Sequence, residues 1–214
     1  NNFVFTNNST ISSGTVTYAW GFGDATTSTA THPSHTYATF NTFNVKLITT
    51  SNFGCKDSGA SKNYTYPMPV SVYSINDSTQ CLTGNNFVYT NSSFIPSGTL
   101  KYLWLFGDSV KSTLTNPNHS YIVEGTYYTR LIATSNFLCA DSVTKPMYVY
   151  PMPLVSFSIN GSTQCFKDNK FMFTNNTSIT SGTMRYLWNF GDTTTSIATD
   201  TSHTYNSVNT YKVI

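Results

Sequence analysis

The chain has 214 residues, 15% of them aromatic and only 9% charged, with a formal net charge of +2. No basic run exists to follow a phosphate backbone, which argues against nucleic acid as a partner, and no apolar run approaches the roughly 18 residues that cross a bilayer. Low charge does not mean disorder here, because 39% of the residues are hydrophobic and the polar remainder is mostly Thr, Ser and Asn, which suit strands and turns.

The stretch Tyr18-Ala19-Trp20-Gly21-Phe22-Gly23-Asp24 returns as Tyr102-Leu103-Trp104-Leu105-Phe106-Gly107-Asp108 and again as Tyr186-Leu187-Trp188-Asn189-Phe190-Gly191-Asp192, each time 84 residues on. The same offset carries Cys55 onto Cys139, Cys81 onto Cys165, and His35 onto His119 and His203. A spacing kept without slippage predicts a tandem array of folded units. The expected boundaries are 1–66 for a copy lacking its N-terminal part, 67–150 for a complete copy, and 151–214 for a copy lacking its C-terminal part. Both ends read as cuts through a longer polymer, which places targeting and anchoring segments outside this stretch. A unit of this size needs a core rich in large side chains, and the aromatic content supplies one.

In chain order, the complete unit starts at a joint, Tyr66-Pro67-Met68-Pro69, repeated at Tyr150-Pro151-Met152-Pro153. Two prolines in three residues lack N–H donors and favour extended, stiff backbone. A first strand is expected over Val70–Ile75, a turn at Asn76-Asp77-Ser78, and a second strand over Phe87–Thr90 with Phe87 and Tyr89 on one face. After a turn at Ser97-Gly98 comes the clearest strand, where Leu100, Tyr102, Trp104 and Phe106 alternate with residues that drift among the copies. Period two with one constant face predicts a sheet packed on one side. Gly107-Asp108 ends it, and a Ser/Thr-rich connection leads to Pro117-Asn118-His119-Ser120-Tyr121. Gly125, which is Asn41 and Asn209 in the other copies, predicts a left-handed backbone in all three, because glycine and asparagine tolerate positive φ. A long strand over Thr126–Ser135, a turn at Asn136–Cys139 and a last strand to Tyr150 complete the unit. Such short strands, separated by turns every 8–12 residues, predict an all-β antiparallel sandwich.

Trp20, Phe22, Trp104, Phe106, Trp188 and Phe190 are core residues in this reading. Asp24, Asp108 and Asp192 have no second acid recurring beside them, so their oxygens are expected to accept backbone N–H groups in the turn. His35, His119 and His203, each followed two residues on by Tyr37, Tyr121 or Tyr205, read as structural hydrogen bonders, since a lone histidine without Cys, Asp or Glu at ligand spacing makes a poor metal site. His32 is matched by Asn116 and Asp200 and receives no role. No dyad or triad repeats, so the chain is not expected to be an enzyme.

Trp-x-Phe-Gly-Asp, a Ser/Thr-rich stretch, Pro-x-His-x-Tyr and Gly-Thr-Tyr together resemble the PKD (polycystic kidney disease) domain, across all three copies. The resemblance implies tandem immunoglobulin-like antiparallel β-sandwiches without catalytic residues. With Gln80-Cys81, Cys139 and the Tyr-Pro-x-Pro joint, the array is similar to those on surface proteins of gliding and adhesive Bacteroidetes-type bacteria. It thus implies an extracellular, cell-surface stalk or filament segment of an adhesin, extending a distal binding region. The expected partners are adjacent repeats of the same chain, lateral copies in a fibre, and a surface glycan or protein ligand. The alternative is a polysaccharide- or protein-binding accessory module of a secreted hydrolase, for which Tyr64, Tyr148 and Tyr150 are the candidate exposed aromatics. No cofactor is expected; related domains sometimes bind calcium, but no acidic cluster here supplies enough oxygens. This chain departs from the family at Ala25, Ser109 and Thr193, where a glycine usually follows Gly-Asp.

An extracellular setting also implies that Cys55, Cys81, Cys139 and Cys165 are oxidised. Within one unit Cys81 has only Cys139 as a partner. The family topology places these two at opposite poles, beyond the roughly 7 Å Cα separation that a disulfide allows. Pairing within the unit and pairing between neighbouring units both stay open.

Overall fold

The computed structural model describes residues 2–214; Asn1, the first residue of the expected N-terminal unit, lies outside the described residues. Six strands form the first repeat: β1 (Asn2–Val4), β2 (Val16–Gly21), β3 (Thr27–Ser28), β4 (Ser34–Thr36), β5 (Thr42–Ser51) and β6 (Lys56–Tyr64). The second holds β7 (Tyr73–Ile75), β8 (Thr79–Cys81), β9 (Phe87–Asn91), β10 (Leu100–Leu105), β11 (Lys111–Ser112), β12 (Asn118–His119), β13 (Gly125–Ser135) and β14 (Ala140–Tyr150). The third contributes β15 (Phe157–Ile159), β16 (Phe171–Asn175), β17 (Trp188–Asn189), β18 (Thr195–Ser196) and β19 (Thr201–His203).

In the second repeat a five-stranded sheet, β11-β10-β13-β14-β8, faces a three-stranded sheet, β12-β9-β7. The alternation in β10 and β9 turns the large side chains into the space between them. Tyr73, Phe87 and Tyr89 from one sheet meet Trp104, Leu131, Met147 and Val149 from the other, all buried. The indole N–H of Trp104 would be stranded there without an acceptor; it donates to the carbonyl of Leu114 at 2.9 Å. Trp20 and Trp188 make the same bond to Ala30 and Ala198. In the third repeat the positions equivalent to the second half of β13 and to all of β14 fall past Ile214, and Phe157 is 41% exposed where its counterpart Tyr73 is 1% exposed. A cleft of about 400 Å³ beside Phe157 and Trp188 is the open side of that partial sandwich.

Two expectations from the sequence are corrected. The single first strand over Val70–Ile75 is instead broken, and a further strand that the sequence did not predict follows it in the other sheet. Val70 makes an isolated bridge to Phe94, the Ser71 N–H turns aside to the Asp141 carboxylate at 2.7 Å, and only Tyr73–Ile75 joins β9. The chain then crosses to the other sheet, where β8 pairs parallel with β14, Thr79 opposite Tyr148 and Cys81 opposite Tyr150. Secondly, of Asn41, Gly125 and Asn209 only Gly125 has a positive φ. The asparagines serve through their side chains: Asn41 Oδ1 accepts the Thr42 N–H and Asn209 Oδ1 the Thr210 N–H, both at 2.8 Å. The position that is left-handed in all three repeats without being glycine is a different one, Ala25 (φ 68), Ser109 (φ 75) and Thr193 (φ 74). These are the positions where the sequence departs from the usual glycine.

Candidate functional site

Two arrangements repeat along the chain, a polar cluster at one pole of each sandwich and a joint between sandwiches. The cluster starts where β10 ends. Gly107 has φ +92, and a Cβ there would stand 3.0 Å from the Tyr128 backbone nitrogen, so only glycine lets the turn lie against β13. Asp108 follows, and its Oδ1 accepts the Val110 N–H at 3.1 Å, closing a turn of the kind short acidic side chains stabilise. Its Oδ2 accepts from His119 Nε2 at 2.6 Å. The pairs Asp24–His35 and Asp192–His203 have the same contact at 2.7 Å.

The histidine ring lies flat on Phe106, with centroids 4.3 Å apart, and meets the edge of Tyr121. Tyr121 stacks on Tyr127 at 3.8 Å and donates its hydroxyl to the Phe106 carbonyl at 2.7 Å. Each residue of the motif therefore holds the next, and all of them close one end of the core. In the first and third repeats a threonine hydroxyl also donates to the aspartate: Thr26 to Asp24 at 2.5 Å and Thr194 to Asp192 at 2.6 Å. These hydroxyl bonds, aided by the histidine, hold both carboxyls at about 2, well below the usual carboxylate range. The second repeat has Val110 at that position.

Sequence reasoning placed the aspartate in the turn and the histidine as a hydrogen bonder, but it did not bring them together. The constant eleven-residue separation of the pair in all three copies was the available signal. It also missed the role of His32. His32 Nδ1, Asn116 Oδ1 and Asp200 Oδ1 accept the backbone N–H of Asn7, Asn91 and Asn175 at 3.1, 2.8 and 2.8 Å; three different side chains supply one acceptor. Among the described residues no three His, Cys, Asp or Glu side chains converge as metal ligands do.

At the joint, Pro67 and Pro69 are buried. Tyr66 leaves the first repeat and stacks on Phe137 in the β13–β14 turn of the second, with centroids 4.3 Å apart and planes at 9°. At the next joint Thr180 donates its hydroxyl to Glu124 at 2.8 Å. The Asp141 carboxylate, which receives the Ser71 N–H just after the joint, is lowered from its ordinary pKa chiefly by that bond. All four cysteines are free thiols: Cys81 lies beside Tyr150 at the far pole of the second repeat, and Cys139 lies in the turn against the first.

No curated protein matches the chain. Among solved structures, it is similar to the PKD1 domain of Vibrio anguillarum Epp, at 24% identity over 40% of this chain and 96% of that one, with TM-score 0.36. It is also similar to the PKD1 domain from Vibrio cholerae metalloprotease PrtV, at 26% identity over 38% and 96%, with TM-score 0.35. A third is an amphioxus IgVJ-C2 molecule, at 10% identity over 69% and 96%, with TM-score 0.35. The family model of the PKD domain matches three times, at residues 1–66, 68–150 and 153–214. With nearly the whole length matched in three consecutive copies, the chain belongs to the PKD domain family.

Proposed function

We propose that the chain is a load-bearing spacer, a stalk or filament segment of an extracellular bacterial surface adhesin that holds a distal binding region away from the cell. PKD domains are non-catalytic structural or binding modules of extracellular proteins, and the spacer reading concerns which of those roles this array has. The observation that carries it is the way the second repeat is wired between its joints. Beyond β7, the chain enters β8, and β8 runs parallel to the last strand, β14, bonded from Tyr148 N–H to the Ser78 carbonyl and from Leu82 N–H to the Tyr150 carbonyl, both at 2.8 Å. Tension applied at Pro67 and at Tyr150 passes through the Val70–Phe94 bridge and the β7–β9 pair, and then pulls β8 and β14 in opposite directions along their length. Their hydrogen bonds, and the long β13–β14 ladder behind them, are then loaded together instead of opening one at a time.

A polymer-binding module would need a row of outward aromatics kept from copy to copy. Tyr64 and Tyr148 are equivalent and exposed, as are Tyr66 and Tyr150, but Tyr66 is taken up by its stack on Phe137 at the joint, and the most exposed strand tyrosine, Tyr128, has Asn44 and Lys212 as counterparts. The test is single-molecule pulling on the chain held by its two ends. A discrete high-force unfolding event from the complete repeat is expected, weakened when Tyr148 is replaced by proline to remove its N–H. A featureless low-force extension, or tight retention of the chain on chitin, cellulose or collagen, would count against the spacer reading.

A further inference from the structure

We infer that the joints of this array are sites of disulfide formation between neighbouring repeats. The far-pole cysteine of one repeat, at the position of Cys81, is bonded to the turn cysteine of the next, at the position of Cys139. The 84-residue period and two contacts on one tyrosine bring these two positions together. Cys81 lies opposite Tyr150 on the adjacent parallel strand, so the far-pole cysteine flanks the joint tyrosine of its own repeat at about the 4.7–4.9 Å that separates neighbouring strands. Tyr66 is the residue equivalent to Tyr150, and it stacks on Phe137, two residues before Cys139. One joint tyrosine is thus touched on one side by the strand of the far-pole cysteine and on the other by the turn carrying the cysteine of the following repeat.

A second observation shows that the neighbouring repeat covers this turn. Phe53 and Cys55 form the same turn in the first repeat. Phe53 is 73% exposed and Cys55 is exposed, whereas Phe137, which stacks on Tyr66, and Cys139 are both half-buried. Cys81 and Cys139 themselves lie at opposite ends of β14, one opposite Tyr150 and one just before Ala140, in the turn whose Phe137 meets Tyr66. A bond between them would have to cross the length of the repeat, which the short reach of a disulfide forbids.

The chemistry is thiol–disulfide exchange with a disulfide-bearing oxidant. The thiolate of one cysteine attacks a sulfur of the oxidant to give a mixed disulfide, and the second cysteine displaces the remaining half. One S–S bond forms in the protein and one breaks in the oxidant, which leaves as two thiols carrying the two protons. The result is a covalent clamp across each joint, parallel to the Tyr-Pro-x-Pro connection. It depends on end-to-end packing of the repeats and not on the stalk reading.

In the chain itself the partner position for Cys81 falls past Ile214, and that for Cys139 falls before Asn1. The test therefore extends the full chain by a copy of its own residues 131–150, which follow in register after Ile214 and complete the third repeat. After refolding in a glutathione redox buffer, peptide mapping without reduction should link Cys81 to the appended copy of Cys139, while native Cys139 remains alkylatable. Cys81→Ser should return the appended cysteine to full alkylation. The converse extension, a copy of residues 67–84 placed ahead of Asn1, should link the copied Cys81 to native Cys139 and serves if the first extension folds poorly. A Cys81–Cys139 bond within the second repeat, bonds only between separate chains, or complete alkylation of both members of the pair in folded protein would overturn the inference.

Discussion

The side-chain hydroxyl of Thr129 lies 3.1 Å from that of Tyr89 and 3.1 Å from that of Tyr121, at the fully buried centre of the second repeat. Because Tyr121 donates its own proton to the Phe106 carbonyl, the direction of the chain is set: Tyr89 donates to Thr129, and Thr129 donates to Tyr121. Tyr73 adds a bond to the Thr129 carbonyl at 2.8 Å. Burial pushes the phenols of Tyr73, Tyr89 and Tyr121 up, so all stay neutral donors. The other repeats carry Phe5 and Phe173 opposite Tyr89, and Val45 and Val213 opposite Thr129. The polar residues thus occur together or not at all.

Thr129→Val alone strands the Tyr89 hydroxyl in the core and is expected to cost about 1–3 kcal/mol, the penalty for an unsatisfied buried donor. Adding Tyr89→Phe recreates the pair found in the sister repeats and should recover most of that loss. Equilibrium denaturation of the two single variants and the double variant gives the coupling; additive losses would show that the hydroxyls do not act as a unit.

Ala25, Ser109 and Thr193 hold a left-handed backbone that costs an L-residue about 1–2 kcal/mol. Replacing each with glycine removes that strain at the expense of about 0.5–1 kcal/mol of unfolded-state entropy. Each change should therefore raise the melting temperature of its repeat, Thr193→Gly the most, since a β-branched residue is the least tolerant of positive φ. Calorimetry on the three variants tests the order.

The carboxyls of Asp24 and Asp192 are held at about 2, below the ordinary aspartate value of 3.8. A carboxyl whose folded pKa is depressed contributes stability that is present above its unfolded value and lost as the pH falls through the folded one. Acid should thus weaken the first and third repeats between about pH 4 and pH 2. Thr26→Val removes the leading cause of the Asp24 shift and should move its carboxyl resonance midpoint upward in an NMR titration. An unchanged midpoint would mean that the hydroxyl contributes nothing to the shift.

Tyr66→Ala takes away the ring covering Phe137 and should expose that residue as Phe53 is exposed. An aromatic pair of this geometry is worth about 0.5–1.5 kcal/mol beyond its buried area. The effect should appear less in the stability of either repeat than in their mutual orientation. Small-angle scattering and residual dipolar couplings should report a looser joint, and unchanged couplings would assign the joint's stiffness to Pro67 and Pro69 alone.

Much of this protein was legible in its residues because the information is local and periodic. Alternation in Leu100–Phe106 marks the buried face, Gly107-Asp108 marks the turn, and the 84-residue offset marks the repeat; each depends on neighbours a few residues apart. Tertiary structure decided the rest. It interrupted the expected first strand and added β8 to the opposite sheet, seated His119 on Asp108, and gave His32, Asn116 and Asp200 one shared task. It also laid Tyr66 on a turn of the next repeat. These contacts join residues far apart in sequence, and no local pattern encodes which of several polar groups will face one another once the aromatic core has closed.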